Sequence, residues 1–206
     1  MLTLQCKKPF CDHIHCGVLN RVQAMGSFAR EFVRAPSHVG SVCPSSRFLT
    51  DAMIKCLPDE DGLIIDLGAG SGILSEQLLR SGVEAANIIA VEISPGFQNG
   101  FNRRCPDVPL VIDDARNLAG ILQKHVPDEP IRGIVSSLPL RVMPGELIKE
   151  IMLAINEVMN QRGGSLIQYT YVWWSRYQLA RYGFTPLSSQ VVIRNLPPAR
   201  VESYVV

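Results

Sequence analysis

A glycine-rich turn with an acid in front of it is the clearest chemical feature of the sequence. Residues 66–72 read D-L-G-A-G-S-G and follow an apolar run typical of a strand. Glycines in such a turn allow backbone angles that other residues resist, and they let a ligand approach the main chain closely. Gly72, the third glycine, lies two positions after Gly70, whereas in the usual dinucleotide fingerprint the third glycine lies three positions after the second. With Asp66 two residues before Gly68, this spacing favours a nucleoside with an amino-acid tail over a pyrophosphate.

Two further acids follow the next predicted strands. Glu92 ends the second strand, where an acid is placed to accept hydrogen bonds from both ribose hydroxyls. Asp114 follows the third strand and could accept one from an adenine amino group. The alternatives are that Asp113 or Asp114 only caps the helix from Arg116, and that the glycine turn serves packing or an NAD site.

Alternating strands and helices must position these groups. We predict strands at 63–67, 87–92, 109–113, 132–137 and 164–172, with helices near 72–81, 95–103, 116–125 and 145–161. This alternation is typical of a parallel sheet covered by helices on both faces. Runs at 190–194 and 200–206 predict an antiparallel pair that closes the sheet. A helix capped by Ser45 or Ser46 is expected before the first strand, ending near Leu57.

The N-terminal residues are predicted to form a separate unit, 1–36, ahead of a domain that covers 37–206. Residues 17–34 place Val, Met and Phe on one stripe of a helix and arginines on the other side. Such a helix suits an anionic membrane surface, although most amphipathic helices simply cover their own domain. The Cys and His residues at 11–16 lack a paired C-x-x-C spacing, so no metal site is predicted. No signal-peptide pattern precedes the six cysteines, and we expect reduced thiols in the cytoplasm.

The cofactor residues resemble those of class I S-adenosylmethionine-dependent methyltransferases. The D-L-G-A-G-S-G turn, Glu92 and the D-D-A stretch at 113–115 stand in the order and spacing of that family. The resemblance implies a Rossmann-like, mostly parallel seven-stranded sheet and S-adenosyl-L-methionine as the cofactor. The residues that it assigns to the cofactor are Ser45, Ser46, Asp66, Gly68, Ala69, Gly70, Gly72, Glu92, Ile93, Asp114, Ala115 and Ser136.

The expected acceptor corner reads V-S-S-L-P-L at 135–140, at the end of the fourth strand. In the enzymes that methylate adenine N6, the corner is N-L-P-Y: the Asn side chain holds the amine and an aromatic ring stacks on the base. Ser137 and Leu140 supply neither group. Stacking on a base contributes roughly 1–3 kcal/mol, so the leucine argues against a nucleobase, and a nucleic-acid partner is not expected.

A closer resemblance, over about residues 25–206, is to bacterial phospholipid N-methyltransferases, which convert phosphatidylethanolamine towards phosphatidylcholine. It rests on F-A-R-E-F-V-R-A-P-S-H-V-G-S-V-C-P-S-S-R-F-L, on V-S-S-L-P-L and on R-N-L-P-P-A-R-V. That family usually has Gly at position 137 and often Gly at 113. The resemblance implies a phospholipid substrate, a lid formed by Ser45 and Ser46, and peripheral attachment to the inner face of the membrane.

The acceptor amine is expected to meet the backbone carbonyls of Ser136, Ser137 and Leu138, with Tyr169 nearby. Tyr169, Tyr171 and Trp173 alternate along the fifth strand, so they share one face and suit a quaternary ammonium. An aromatic row of this kind also fits a protein core. Two rivals stay open: an RNA or protein amine methyltransferase of the same fold, and a cofactor-binding protein without catalysis. The oligomeric state and the number of methyl groups added stay open as well.

Overall fold

The computed structural model describes residues 46–171 and 178–206. Several predictions lie outside these residues: the amphipathic helix at 17–34, the Cys/His cluster at 11–16, the lid residue Ser45, the boundary between 36 and 37, and Trp173. They stay predictions.

Seven strands form one mixed sheet in the order β3-β2-β1-β4-β5-β7-β6. Strands β1 to β5 are parallel, and β7 runs antiparallel to both of its neighbours. This confirms the predicted mostly parallel sheet with an antiparallel C-terminal pair. The strands are β1 Leu63–Leu67, β2 Ile88–Glu92, β3 Leu110–Ile112, β4 Ile131–Ser136, β5 Ser165–Tyr171, β6 Thr185–Val192 and β7 Ala199–Val205.

Helices cover both faces of the sheet because the central strands are apolar on both sides. All five residues of β1 and all five of β2 are buried. One core cluster joins the sheet to α4 and α5, and the other joins it to α1, α2 and α3. The helices are α1 Arg47–Ile54, α2 Ile73–Arg80, α3 Gln98–Arg104, α4 Leu118–His125 and α5 Gly145–Arg162. In the part of the chain that the structure describes, none of them is long and apolar enough to cross a bilayer.

Strand β6 differs from its prediction, since it begins at Thr185 rather than at residue 190 and ends at Val192. Its first seven residues are exposed. The strand lies at the edge of the sheet, so pairing with β7 supports its backbone while its side chains stay in solvent. An edge strand of this kind shows little apolar alternation, and the sequence pattern therefore detected only its end.

The carboxyl ends of β1 to β5 meet at one edge of the sheet, which we call the carboxyl edge. Tyr171 at the end of β5 and Val192 at the end of β6 both pair with Ala199 at the start of β7. The turn at 193–198, between β6 and β7, therefore lies at this edge too. In parallel α/β sheets, ligands bind outside the carboxyl ends of the strands.

Gly133 in β4 provides a test of how tightly the sheet packs against its helices. A Cβ atom at Gly133 would lie 2.5 Å from Leu57 Cδ2 and 3.3 Å from the Ser165 carbonyl oxygen. We expect Gly133→Ala to lower the free energy of unfolding by about 1–3 kcal/mol, the usual cost of overpacking. Urea denaturation measures the change.

Gly100→Ala is the matched control, because a Cβ at Gly100 in α3 meets nothing within 4 Å. There, alanine should raise the free energy of unfolding by about 0.5–1 kcal/mol through its better helix propensity. If both substitutions changed the free energy of unfolding in the same direction, the result would contradict the packing described for β4.

Candidate functional site

The glycine turn after β1 is fastened to β2 by backbone hydrogen bonds. The N–H groups of Gly68 and Ala69 both donate to the Val91 carbonyl, at 2.9 and 3.1 Å. Gly70 has a φ of 53°, in the left-handed region, and a Cβ atom there would meet nothing within 4 Å. The turn therefore presents bare main chain to open space, as a ligand cradle requires.

Glu92 joins the glycine turn to the loop after β2. Its Oε2 accepts from the Gly70 N–H and its Oε1 accepts from the Ser94 N–H, both at 2.9 Å. A carboxylate has about four acceptor positions, so this one keeps capacity for the two predicted ribose hydroxyls. Beside it, Ile93 is 43% exposed and offers an apolar surface against which a base could lie.

Asp66 and Glu92 are buried acids that form no ion pair with a basic residue in the described ranges. Asp66 is fully buried; its Oδ2 accepts from Ser75 Oγ at 2.6 Å, and its Oδ1 has no partner. Burial raises the pKa of Asp66 to about 7, and burial also raises the pKa of Glu92. A bound cation would stabilise both carboxylates, so the residues present fit a sulfonium nucleoside with an α-ammonium group.

Asp114 shows the capping geometry that the sequence left open. Its Oδ1 accepts from the Arg116 N–H at 2.9 Å, and its Oδ2 accepts from Arg116 Nη2 at 2.8 Å. Arg116 also bonds Glu150 at 2.7 Å. The next residue, Ala115, is buried in the core. The predicted contact of Asp114 with an adenine stays a prediction, and it requires an acceptor position that Arg116 does not use.

Ser46 caps α1 and also ties it to the C-terminal hairpin. Its Oγ accepts from the Leu49 N–H at 3.3 Å and donates to Asn195 Oδ1 at 2.5 Å. The helix-cap interpretation is therefore correct for Ser46. A lid role for this residue stays a prediction, and Ser45 lies outside the described residues.

The acceptor corner packs directly against the glycine turn. A Cβ atom at Gly68 would lie 3.0 Å from Leu138 Cδ2, so the absence of a side chain at Gly68 lets the two loops meet. The Ser137 N–H donates to the Leu67 carbonyl at 2.9 Å. Ser136 is fully buried, and its Oγ accepts from the Leu138 N–H at 3.4 Å. The fold thus brings the glycine turn and the predicted acceptor residues Ser136, Ser137 and Leu138 together.

Gln168 in β5 was not identified from the sequence, although it holds the acceptor corner in place. Its Nε2 donates to the Leu138 carbonyl at 3.2 Å and to the Tyr169 carbonyl at 2.9 Å. The Leu140 N–H also donates to the Leu138 carbonyl, at 2.9 Å. This carbonyl already accepts two hydrogen bonds, and the roles of the Ser136, Ser137 and Leu138 carbonyls towards a substrate amine stay predictions. A polar residue between apolar neighbours in L-I-Q-Y was the available signal.

Tyr169 and Tyr171 lie on the same face of β5, as their alternation predicted. Their rings meet edge to face, with centroids 5.9 Å apart and an interplanar angle of 77°. Both are partly buried against the core cluster that contains α1. This arrangement agrees with packing in the core and also with one wall of a site for a quaternary ammonium. The predicted binding of a quaternary ammonium by these aromatic rings therefore stays a prediction. Among the described residues, no group of three His, Cys, Asp or Glu side chains is placed to hold a metal ion.

No protein-family model matches the chain. Two curated proteins, both ribosomal RNA small subunit methyltransferase A, are similar over part of it. The protein from Thermotoga neapolitana is 29% identical over 126 residues, 58% of this chain and 44% of its own. The protein from Thermotoga maritima is 30% identical over 125 residues, 58% of this chain and 40% of its own. The chain spans less than half the length of these relatives.

Solved structures with the same fold include two N-methyltransferases. The 1,6-didemethyltoxoflavin-N1-methyltransferase of Burkholderia thailandensis, solved with S-adenosylhomocysteine, has a TM-score of 0.60 at 15% identity, covering 98% of this chain and 92% of its own. The glycopeptide N-methyltransferase MtfA, solved with S-adenosylmethionine, has a TM-score of 0.59 at 13% identity, covering 80% and 96%. The chain therefore has the Rossmann-like fold of S-adenosylmethionine-dependent methyltransferases, as predicted.

The raised pKa of Asp66 predicts a specific pH dependence of stability. Between about pH 4 and pH 7 the native state keeps a proton that the unfolded chain releases, so this residue makes the free energy of unfolding fall as pH rises. Asp66→Asn cannot ionise, and it should show a smaller fall between pH 5 and pH 8 in urea denaturation.

Asp59→Asn, at an exposed position before β1, is the matched control and should follow the wild-type chain. Some pH dependence should survive in Asp66→Asn because burial raises the pKa of Glu92 as well. Equal falls in the wild type and Asp66→Asn would show that Asp66 ionises normally in the folded protein.

Proposed function

We propose that the chain is an S-adenosylmethionine-dependent N-methyltransferase whose acceptor is the amine of a phospholipid headgroup. When bound, S-adenosylmethionine supplies a sulfonium methyl group: the amine lone pair forms the C–N bond, the C–S bond breaks, and its electron pair stays on sulfur. The fold, the open glycine turn and the buried acids Asp66 and Glu92 support the cofactor.

The protein's own residues would hold the cofactor at the ends of β1 and β2. The bare backbone at Gly70 receives the ligand, and the remaining acceptor positions of Glu92 suit the ribose. When ionised, the buried acids Asp66 and Glu92 would favour a cationic ligand over a neutral or anionic one. The residues that would hold the methyl donor therefore also select its charge.

The proposal of a phospholipid amine as the substrate rests on the residues of the acceptor corner. Leu140 stands where the adenine enzymes have an aromatic ring, and it is only 4% exposed. Its side chain packs into the core cluster beside α5, so it offers no face on which a base could stack. Ser137 replaces the amide that would hold an adenine amine. Both features favour an aliphatic amine.

An aliphatic amine must lose a proton before it attacks. A lipid primary amine with a pKa of about 10 costs roughly 4 kcal/mol to deprotonate at pH 7. Burial lowers the pKa of an ammonium group and supplies part of this energy. His125 is exposed at the end of α4, away from the corner. In the proposed mechanism desolvation therefore favours the neutral amine, whose proton passes to water as the amine enters the site, and the Ser137 carbonyl orients the neutral amine for attack.

A lipid substrate places the protein at a membrane surface, and we infer that it works at the cytoplasmic face of the inner membrane. The amphipathic pattern at 17–34 would supply the contact with anionic headgroups. Vesicle sedimentation of a chain that starts at residue 36 tests this contact.

RNA is the second candidate acceptor. The curated relatives are ribosomal RNA methyltransferases, and this supports a nucleic-acid partner even though the corner residues argue against a nucleobase. Six Lys or Arg residues among positions 1–50 could contact phosphates.

Methyl transfer from radiolabelled S-adenosylmethionine to a total lipid extract and to total RNA separates the two acceptors. We expect label in the lipid fraction, on an amine-containing headgroup, and none in RNA above the level of a heat-denatured control. Label in RNA alone would overturn the lipid proposal, and label in neither would favour a binding protein without catalysis.

Gln168→Met should slow methyl transfer without weakening the cofactor. The substitution keeps the length of the side chain but removes one of the two donors to the Leu138 carbonyl, a loss of about 0.5–1.5 kcal/mol. We expect kcat to fall roughly three- to tenfold. The Kd for S-adenosylmethionine, measured by calorimetry, should change less than twofold.

Thr170→Val is the matched control, since Thr170 is buried on the same face of β5 and its Oγ1 has no hydrogen-bond partner. It should leave kcat unchanged. A parallel loss of cofactor affinity in Gln168→Met would show that Gln168 supports the whole site rather than the acceptor corner.

A further inference from the structure

The turn at 193–198 displays large apolar side chains at the carboxyl edge. Ile193 is 78% exposed and Leu196 is 80% exposed. Phe48, at the start of α1, is 47% exposed, and the Arg194 guanidinium lies over its ring, 5.4 Å from the centroid. We call Phe48, Ile193, Arg194 and Leu196 the turn patch.

Hydrogen bonds hold the turn patch in a fixed shape. Asn195, between the exposed residues, is itself only 5% exposed. Its carboxamide accepts from Ser46 at 2.5 Å and donates to the Pro197 carbonyl at 2.7 Å. The exposed side chains of Ile193 and Leu196 thus project from a turn whose centre is anchored to α1. A preformed surface loses little conformational entropy when it binds.

The charged residues in and beside the turn patch are mostly basic. Arg47, Arg194 and Arg200 lie in or next to it, and Asp51, one helical turn after Phe48, accepts a hydrogen bond from Gln77. Exposed apolar side chains flanked by arginines match the interface of an anionic bilayer, where the apolar groups enter the headgroup boundary and the cations meet the phosphates.

We propose that the turn patch is a docking surface for an anionic lipid bilayer. This inference rests on the proposed lipid substrate for its purpose, although binding to vesicles can be measured without any methyl transfer. Docking through the turn patch would bring the carboxyl edge, and with it the acceptor corner, towards the headgroups. The predicted contact through residues 17–34 is a separate element.

An RNA partner fits this surface less well. Arginines suit phosphates in both cases, but fully exposed Ile and Leu side chains neither stack on bases nor bond to them. Bilayer insertion uses those side chains and the arginines together.

The test is co-sedimentation of the full chain with vesicles made of equal parts phosphatidylglycerol and phosphatidylcholine. The double substitution Ile193→Ser with Leu196→Ser should weaken partitioning at least about tenfold, because two apolar side chains no longer enter the interface. Arg194→Gln should weaken binding about fivefold on these vesicles and not on pure phosphatidylcholine.

Leu187→Ser is the matched control, since Leu187 is 65% exposed towards the other end of β6. It should bind like the wild type, and thermal melts should show that all variants fold. The proposal is overturned if the double variant partitions like the wild type, or if Leu187→Ser loses as much binding as the double variant. It is also overturned if the double variant loses RNA binding while its vesicle binding stays intact. Vesicle binding through the turn patch with label transferred only to RNA would overturn the lipid substrate and leave the docking surface standing.

Discussion

Two buried carboxylates without a basic partner in the described residues, Asp66 and Glu92, hold together the predicted cofactor site. Glu92 uses both oxygens to hold backbone N–H groups from two different loops, so the glycine turn and the loop after β2 are fixed by one side chain. Asp66 lies beneath the same turn with one oxygen unpaired. Burial makes the charged forms costly, and a cationic ligand lowers that cost. A positively charged nucleoside bound at this turn would therefore offset the cost of burying the two charges.

The second constraint is the close approach of two loops. Gly68 leaves space for the Leu138 side chain, and hydrogen bonds from Ser137 to Leu67 and from Gln168 to Leu138 fix the corner from both neighbouring strands. A methyl transfer without a metal depends chiefly on alignment and on exclusion of water. The hydrogen bonds from the Ser137 N–H and the Gln168 side chain to backbone carbonyls would supply the alignment, whatever the acceptor. In the proposed function, the choice of acceptor then falls to side chains such as Leu140.

The parts of the fold that the sequence predicted are those governed by burial. Strands β1 to β5 and β7 were found within one residue at each end. Most residues of β1, β2, β4, β5 and β7 are buried, whereas β3 is half-buried and was found from its short apolar run. The start of β6 was missed because its exposed side chains follow no pattern. Gln168 was missed because its partner lies 30 residues away, and no local pattern reports such a contact. The two roles open to Asp114 could not be separated, since capping and ligand binding both need an acid before a helix.

The surface around the acceptor corner bears on the class of substrate in the proposed function. A phospholipid amine keeps its acyl chains in the bilayer, so an enzyme that desolvates the headgroup must do so while its own carboxyl edge faces the membrane. An edge rimmed with acidic side chains would repel an anionic surface, and one that was only polar would gain nothing by approaching it. Here the turn patch carries Arg194 beside exposed Phe, Ile and Leu side chains, while the acids Asp66 and Glu92 at the same edge are buried. In the proposed function, the same edge would bind the interface and present the acceptor corner to an aliphatic amine rather than to a stacked base.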